Sequence, residues 1–341
     1  MINKKEVLDY LMSKKIIFPL VMLAAGAGLG YLFTLVKAKQ STVAIHAIHE
    51  SNQKYKYVNP LLAVDVGEQK DFFELKPFHD KVTGLIEKLK ASGKADSIGL
   101  YFRDFKTGHW AGINENDKFF PGSLFKVYLM VAYYKEAESQ PGILALKLQY
   151  DGKEDANALE YFKPSQNLEV GKSYTVEELI RRMIVYSDNN AANLLVLNIN
   201  DSAFSEVYTD LGVNVPSPLT DTSDFLSPKQ YSLFFRVLRN ATYLNESFSE
   251  KAIELLTQVE FKDGIVAGLE PHTTVAHKFG EYFQNINGQG IHQLHDCGIV
   301  YKTSPPYLLC VMTKGKNSLD LADSIKQISA LVFDQNQNGY K

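Results

Sequence analysis

Phe119-Phe-Pro-Gly-Ser-Leu-Phe-Lys126, running on into Val127-Tyr-Leu-Met-Val-Ala-Tyr-Tyr134, is the stretch whose reading decides the fold. A Pro-Gly turn leads into a segment that is apolar on almost every side, which is the pattern of a buried helix. Ser123 and Lys126 interrupt it and lie three residues apart, so on a helix they share a face. Burial disfavours the charged amine and draws its pKa down. A neutral amine beside a hydroxyl at a helix start is a general base set to activate a nucleophile, and the helix N-terminus favours the developing oxyanion. A plainer reading stands beside this one: Ser123 caps the helix and Lys126 reaches its ammonium out to water. The spacing alone decides nothing, because Ser51-Asn-Gln-Lys54 repeats it in a polar stretch.

The rest of the chain bounds the choice. Its 341 residues suffice for one large domain with a sizeable core. A formal charge of -3 gives no electrostatic reason to expect a nucleic-acid partner. Two cysteines cannot make a disulfide framework. Lys4, Lys5, Lys14 and Lys15 precede an uncharged run, residues 16–36, long enough to cross a bilayer as a helix. Lysines on its N-terminal side place residues 1–15 in the cytoplasm as a short tail. Ala25-Gly-Ala27 leaves open a cleaved signal peptide. The apolar run continues past that site, which favours an uncleaved single-pass anchor in the cell membrane; either way the remainder is expected outside the cytoplasm.

Residues 37–72 read as a polar linker, and His46 and His49 within it lack a third metal ligand. From residue 73 to 334 the pattern is globular. Leu75, Phe78, Val82, Leu85, Ile86 and Leu89 predict an amphipathic helix ending near Ser92-Gly93. Ser97–Arg103 and Trp110–Ile113 predict a hairpin ahead of the serine segment. Glu136–Leu168 reads as irregular, after which Thr175-Val-Glu-Glu178 is a capping box that opens a helix. That helix stops at Ser187-Asp-Asn189, with more helix on either side of the polar cluster. Two further helices, over Gln230–Leu238 and Glu250–Val259, precede a strand carrying Lys278 near its end. Asp296–Tyr301 and Tyr307–Thr313 form a second hairpin, and a helix capped by Asn317 or Ser318 closes the domain before a frayed tail, residues 335–341. The architecture expected is an antiparallel sheet built from both ends of the domain, with a helical block inserted between them.

Ser123-Leu-Phe-Lys126, Ser187-Asp-Asn189 and His277-Lys-Phe-Gly280 resemble, in order and spacing, the three active-site motifs of class A β-lactamases and penicillin-binding proteins. Phe120-Pro-Gly122, Ser173-Tyr-Thr-Val176 and Gly298-Ile-Val-Tyr301 are similar to their surroundings in that family. The resemblance implies an α/β (α+β) fold, with an antiparallel sheet flanked by helices, an all-helical subdomain, and the site between them. It also implies roles. Ser123 attacks the carbonyl of a β-lactam or acyl-D-Ala-type amide, Lys126 takes its proton, and Ser187 relays a proton to the leaving nitrogen. Asn189 holds the substrate's side-chain amide, Lys278 faces its carboxylate, and the backbone N–H groups of Ser123 and Glu281 form an oxyanion hole. Phe279 and Gly280 complete the substrate-binding strand. No cofactor and no metal are implied.

Two departures limit that picture. The family carries a loop glutamate that activates the deacylating water, yet no glutamate lies between Glu206 and Glu246. Asp221 and Asp224 are the nearest carboxylates and read as caps or loop anchors. Phe279 stands where a Thr or Ser hydroxyl helps to hold the substrate carboxylate. The expected function is therefore an extracytoplasmic serine hydrolase, acylated by β-lactam or peptidoglycan-derived substrates and slow to deacylate. A D-Ala peptidase or transferase of the penicillin-binding type is the alternative, and a catalytically silent envelope-binding protein is a third. His292, His295 and Asp296 lack helical metal-ligand spacing. Cys297 and Cys310, on the two arms of one hairpin, read as buried thiols.

Overall fold

The computed structural model describes residues 43–49, 55–68, 75–158, 160–216, 224–286, 288–301 and 306–340. Residues 1–15 and 16–36, read as tail and membrane anchor, and Asp221 lie outside the described residues. Among those described, no helix is long and apolar enough to cross a membrane. Within the stretch read as a linker, β1 (Val43–His49) and β2 (Leu61–Glu68) pair as a two-stranded sheet. Between them, the Glu250 carboxylate accepts the backbone N–H groups of Lys56, Tyr57 and Val58 at 2.8–3.1 Å, tying that segment to the globular domain.

α1 (Lys76–Ala91) buries Phe78, Val82, Ile86 and Leu89, the three-and-four spacing seen in the sequence. It leads into β3 (Ser97–Asp104) and β4 (Trp110–Ile113). A single 3₁₀ turn, Gly122–Phe125, carries Ser123, and α2 (Lys126–Ser139) continues from it, buried along nearly its whole length. The stretch expected to be irregular holds β5 (Lys147–Gln149), which pairs with β6 (Ser173–Thr175). Thr175 then caps α3 (Val176–Val185) by accepting Glu178 N–H at 3.1 Å. After α4 (Asn189–Val196) comes α5 (Asp201–Asp210), a helix with a weak apolar stripe that the periodicity did not show. α6 (Pro228–Arg239) and α7 (Glu246–Thr257) complete the helical block.

The chain then returns to the sheet through β7 (Thr274–Ile286), β8 (Gln289–Tyr301) and β9 (Tyr307–Gly315), and α8 (Ser318–Gln337) ends the fold. The strand order β4-β3-β9-β8-β7 is antiparallel throughout, so the N-terminal hairpin docks on the C-terminal strands as expected. α8 packs with α1 and on β8 and β9, while α6 packs on β3, β8 and β9. Three expectations need correcting. β7 and β8 extend beyond the short strands read from the sequence: they stay paired to Ile286↔Gln289, three register pairs past the reach of β9, where Gln284, Asn285, Gln289 and Gly290 give no apolar pattern. Cys297 and Cys310 sit directly opposite in register and are joined as a disulfide, not held as thiols. The tail is pinned: Tyr340 Oη donates to Asp104 Oδ2 at 2.7 Å, and its ring packs edge-on to Phe78 and Phe102.

One buried group ties the sheet to the serine segment. His295 is fully buried; its Nε2–H donates to Phe120 O at 2.9 Å, and Nδ1 accepts Thr313 N–H at 3.2 Å. Burial pushes its pKa down from 6.5 to about 4. Between those values the unfolded chain binds more protons than the folded one, so stability rises with pH there. This histidine's contribution is complete above pH 6.5 and is lost as pH falls towards 4; it amounts to about 3 kcal/mol. Thermal unfolding should show that slope in the wild type and a flatter one in His295→Gln. An equal slope in both would remove His295 as its source.

Candidate active site

Two glycines bring the serine turn against the sheet. Gly122 has φ +51°, and a Cβ there would stand 2.2 Å from Glu281 O. A Cβ on Gly280 would meet Pro121 O at 2.5 Å and Leu124 N at 2.8 Å. Only bare backbone allows this approach. Gln293 Oε1 accepts Phe120 N–H at 3.0 Å, and Tyr231 Oη donates to Leu124 O at 3.0 Å, which fixes the turn from both sides. The backbone at Ser123 therefore lies against the backbone at Glu281.

Ser123, Lys126, Asn189 and Glu281, four of the residues singled out in the sequence, line one cleft of about 310 Å³. Its walls also include Phe120, Phe125, Leu129, Phe204 and Tyr282. Lys126 Nζ donates to Ser187 O at 2.6 Å, Ser187 Oγ at 3.1 Å and Asn189 Oδ1 at 2.5 Å. Burial pushes its pKa down to about 8, against the opposing pull of Glu160, Asp188 and Glu281. Ser187 adopts φ +60°, a left-handed conformation that costs a non-glycine residue free energy and recurs at functional sites. That conformation turns both oxygens of Ser187 towards Lys126. Asp188 is fully buried and caps α4 by accepting Asn190 N–H at 2.9 Å, which holds the cluster in place.

Lys278, expected to face the substrate carboxylate, reaches the site through Ser187. It is fully buried, donates to Ser187 Oγ at 2.9 Å and to Phe279 O at 3.0 Å, and does not line the cleft. Burial, and then the neighbouring Lys126, push its pKa well below the ordinary lysine value. Phe279 also lies off the cleft wall, stacked on Phe261 with ring centroids 4.2 Å apart. Ser187 Oγ thus links the two lysines. His292, His295 and Asp296 go to separate partners, Ser318, Phe120 and His277. Asp224 is held by Gln293 at 2.9 Å and by Lys314, as a loop anchor would be.

One cleft residue was not legible in the sequence. Glu160, from the stretch read as irregular, accepts Asn189 Nδ2–H at 2.5 Å and pairs with the Glu281 carboxyl. Burial, and then Glu160, push Glu281 up to about 8. A carboxylate in an irregular polar stretch carries no local pattern to mark it.

Residues 78–335 match the model of the family described as Beta-lactamase enzyme family. The chain belongs to that family. Within it, Beta-lactamase ROB-1 of Haemophilus influenzae is 27% identical over 165 residues, covering 44% of this chain and 51% of that protein. Carbapenem-hydrolyzing beta-lactamase KPC of Klebsiella oxytoca is 34% identical over 107 residues, covering 31% and 35%. The chain therefore spans about half or less of the length of these curated relatives. Among solved structures, a point mutant of PBP-A in an acyl-enzyme complex with penicillin G superposes with TM-score 0.66 at 20% identity, over 79% of this chain and 99% of that one. A class A beta-lactamase from Mycobacterium abscessus gives TM-score 0.64 at 22% identity, over 76% and 99%. These likenesses show the β-lactamase/transpeptidase-like fold, with its antiparallel sheet and helices.

Proposed function

We propose that this family member is a membrane-anchored, extracytoplasmic serine hydrolase that forms an acyl-enzyme at Ser123 with β-lactam or acyl-D-Ala-type amides and releases it slowly. The observation that carries the reading is a desolvated lysine, Lys126, in the same cleft as a serine whose turn is pressed backbone-to-backbone on β7. Ser123 Oγ attacks the carbonyl carbon and its proton passes to Lys126. The oxyanion is received by the N–H groups of Ser123 and Glu281. When the C–N bond breaks, the nitrogen takes a proton through Ser187 Oγ, which touches both Lys126 and Lys278. Asn189 orients Lys126 through its Oδ1.

Slow release follows from the missing base. No glutamate lies between Glu206 and Glu246, and the two glutamates on the cleft wall are engaged with Asn189, with each other and with Phe162 N–H. The same absence supports a second reading, a D-Ala peptidase or transferase of the penicillin-binding type. The relative solved as an acyl-enzyme with penicillin G supports acylation on this fold. Anchoring rests on the uncharged run at residues 16–36 alone.

Intact-mass analysis of the protein with benzylpenicillin should show an adduct lasting minutes or longer on the wild type and none on Ser123→Ala. Rapid hydrolysis with no lasting adduct would refute slow release. The acylation rate should also depend on pH. Lys126 must be neutral to act, so the rate climbs as pH rises through about 8 and then levels. A rate flat from pH 6 to 9 would remove Lys126 as the base.

A further inference from the structure

The Asn189 side chain has a donor end and an acceptor end, and which of them faces Lys126 decides whether the amine is held or repelled. Ala156, Asn157 and Glu160 settle it. Glu160 Oε1 and Ala156 O accept the two Asn189 Nδ2–H groups at 2.5 and 3.1 Å, so Oδ1 is the end left to receive Lys126 Nζ at 2.5 Å. The stretch they belong to is stitched to the start of α4. The Asn189 backbone N–H donates to Asn157 Oδ1 at 2.8 Å, Asn157 Nδ2–H to Asp188 Oδ1 at 2.9 Å, and Ala156 N–H to Asn190 Oδ1 at 2.8 Å. Further along, Phe162 N–H donates to Glu281 Oε1 at 3.0 Å, and the Glu281 carboxyl pairs with Glu160. Glu160 is thus held from α4 on one side and from β7 on the other, with only Asn189 between it and Lys126.

We propose that Glu160 is a positioning residue for acylation: its carboxylate locks the Asn189 amide with Oδ1 towards Lys126 Nζ, and so aims the amine that serves as base. An ionised carboxylate accepts and never donates, so it fixes the Nδ2 end of Asn189 where water would let the amide turn. A turned amide would set its N–H groups against the donors of Lys126. As it stands, Asn189 has both N–H groups committed within the protein, and it serves the base rather than an incoming acyl side chain. The same placement shapes the charge around the base. The ionisable groups facing Lys126 come from three elements: Glu160 from its loop, Asp188 from the cap of α4, and Glu281 and Lys278 from β7. Of the carboxylates among them, Glu160 does most to favour the charged amine. The inference rests on the acyl-enzyme reading for the reaction that Lys126 serves; the orientation of Asn189 does not.

Glu160→Ala removes the acceptor, and the high-pH plateau of the acylation rate with benzylpenicillin should fall by about tenfold to a hundredfold. Glu160→Gln keeps an oxygen for Asn189 Nδ2–H and should restore most of that loss. In Glu160→Gln/Glu281→Gln no carboxyl remains to take up the charge, so Lys126 loses its proton at lower pH. The rate at pH 7, as a fraction of its own plateau, should then rise about fivefold, because a charge this close moves a lysine by about one pH unit. Glu160→Ala acylating at the wild-type plateau, no rescue by glutamine, or an unmoved pH profile in the double variant would each overturn the proposal. Failure of the wild type to acylate would instead refute the hydrolase reading. Glu160 is then tested on Ser123→Ala protein labelled with ¹³C-lysine, where the Lys126 Cε signal should titrate near pH 8, and at lower pH once both glutamines are present. An unchanged midpoint there would overturn the proposal as well.

Discussion

Replacing Ser187 by glycine should slow acylation of Ser123 by about 10²–10⁴-fold while changing the stability of the fold by no more than about 1–2 kcal/mol, because two opposing terms meet there. The hydroxyl lies 3.1 Å from Lys126 Nζ and 2.9 Å from Lys278 Nζ, so both buried amines touch it and the proposed proton relay runs through it. Its loss leaves each amine one partner short and breaks the route to the leaving nitrogen. The backbone argues the opposite way for stability. Ser187 holds φ +60°, a conformation that costs an L-residue about 1–2 kcal/mol and glycine almost nothing. A stable variant with slow acylation would separate the two contributions. Adduct formation timed by quenched-flow mass spectrometry, beside a melting curve, makes the measurement. Acylation at the wild-type rate would show that Ser187 serves the fold alone.

Gly122→Ala should be nearly as damaging, for a different reason. The new methyl would sit 2.2 Å from Glu281 O and 2.9 Å from its carbonyl carbon, and backbone atoms cannot rotate aside. The serine turn must then lift from β7, which separates the two N–H groups expected to share the oxyanion. Loss of one such donor lowers the rate by about 10²–10³-fold. The left-handed φ of +51° adds to the strain, so the variant should also lose about 1–2 kcal/mol of stability. Acylation rate and chemical denaturation report the two effects separately. Unaltered acylation would mean that the close approach of turn and strand is incidental.

Much of this arrangement was legible in the sequence, and the parts that were not share a cause. The buried serine helix, the cluster at Ser187, and the hairpins at both ends of the domain are carried by local periodicity and turn chemistry. Thr175 and Asn317 cap their helices as their positions announce. What periodicity cannot show is which residues distant in sequence face one another. Glu160 meets Glu281 across more than a hundred residues of chain, and their shared environment exists only once the loop folds over β7. Lys278 could be placed near the end of its strand, but that its amine is fully buried and shares Ser187 Oγ with Lys126 depends on residues far apart in the chain. Cys297 and Cys310 could be placed on facing arms, but only the register puts them directly opposite. The tail looked frayed because its anchor, the hydrogen bond from Tyr340 to Asp104, joins the two ends of the domain.

The central claim is that Ser123 is the nucleophile. Its most direct test is to incubate the wild-type protein with benzylpenicillin, digest it, and locate the adduct by tandem mass spectrometry. The mass increment should fall on the peptide containing Ser123 and be absent from Ser123→Ala. An adduct on any other residue, or an unmodified Ser123 after prolonged exposure, would contradict it and leave a silent envelope-binding protein as the better account.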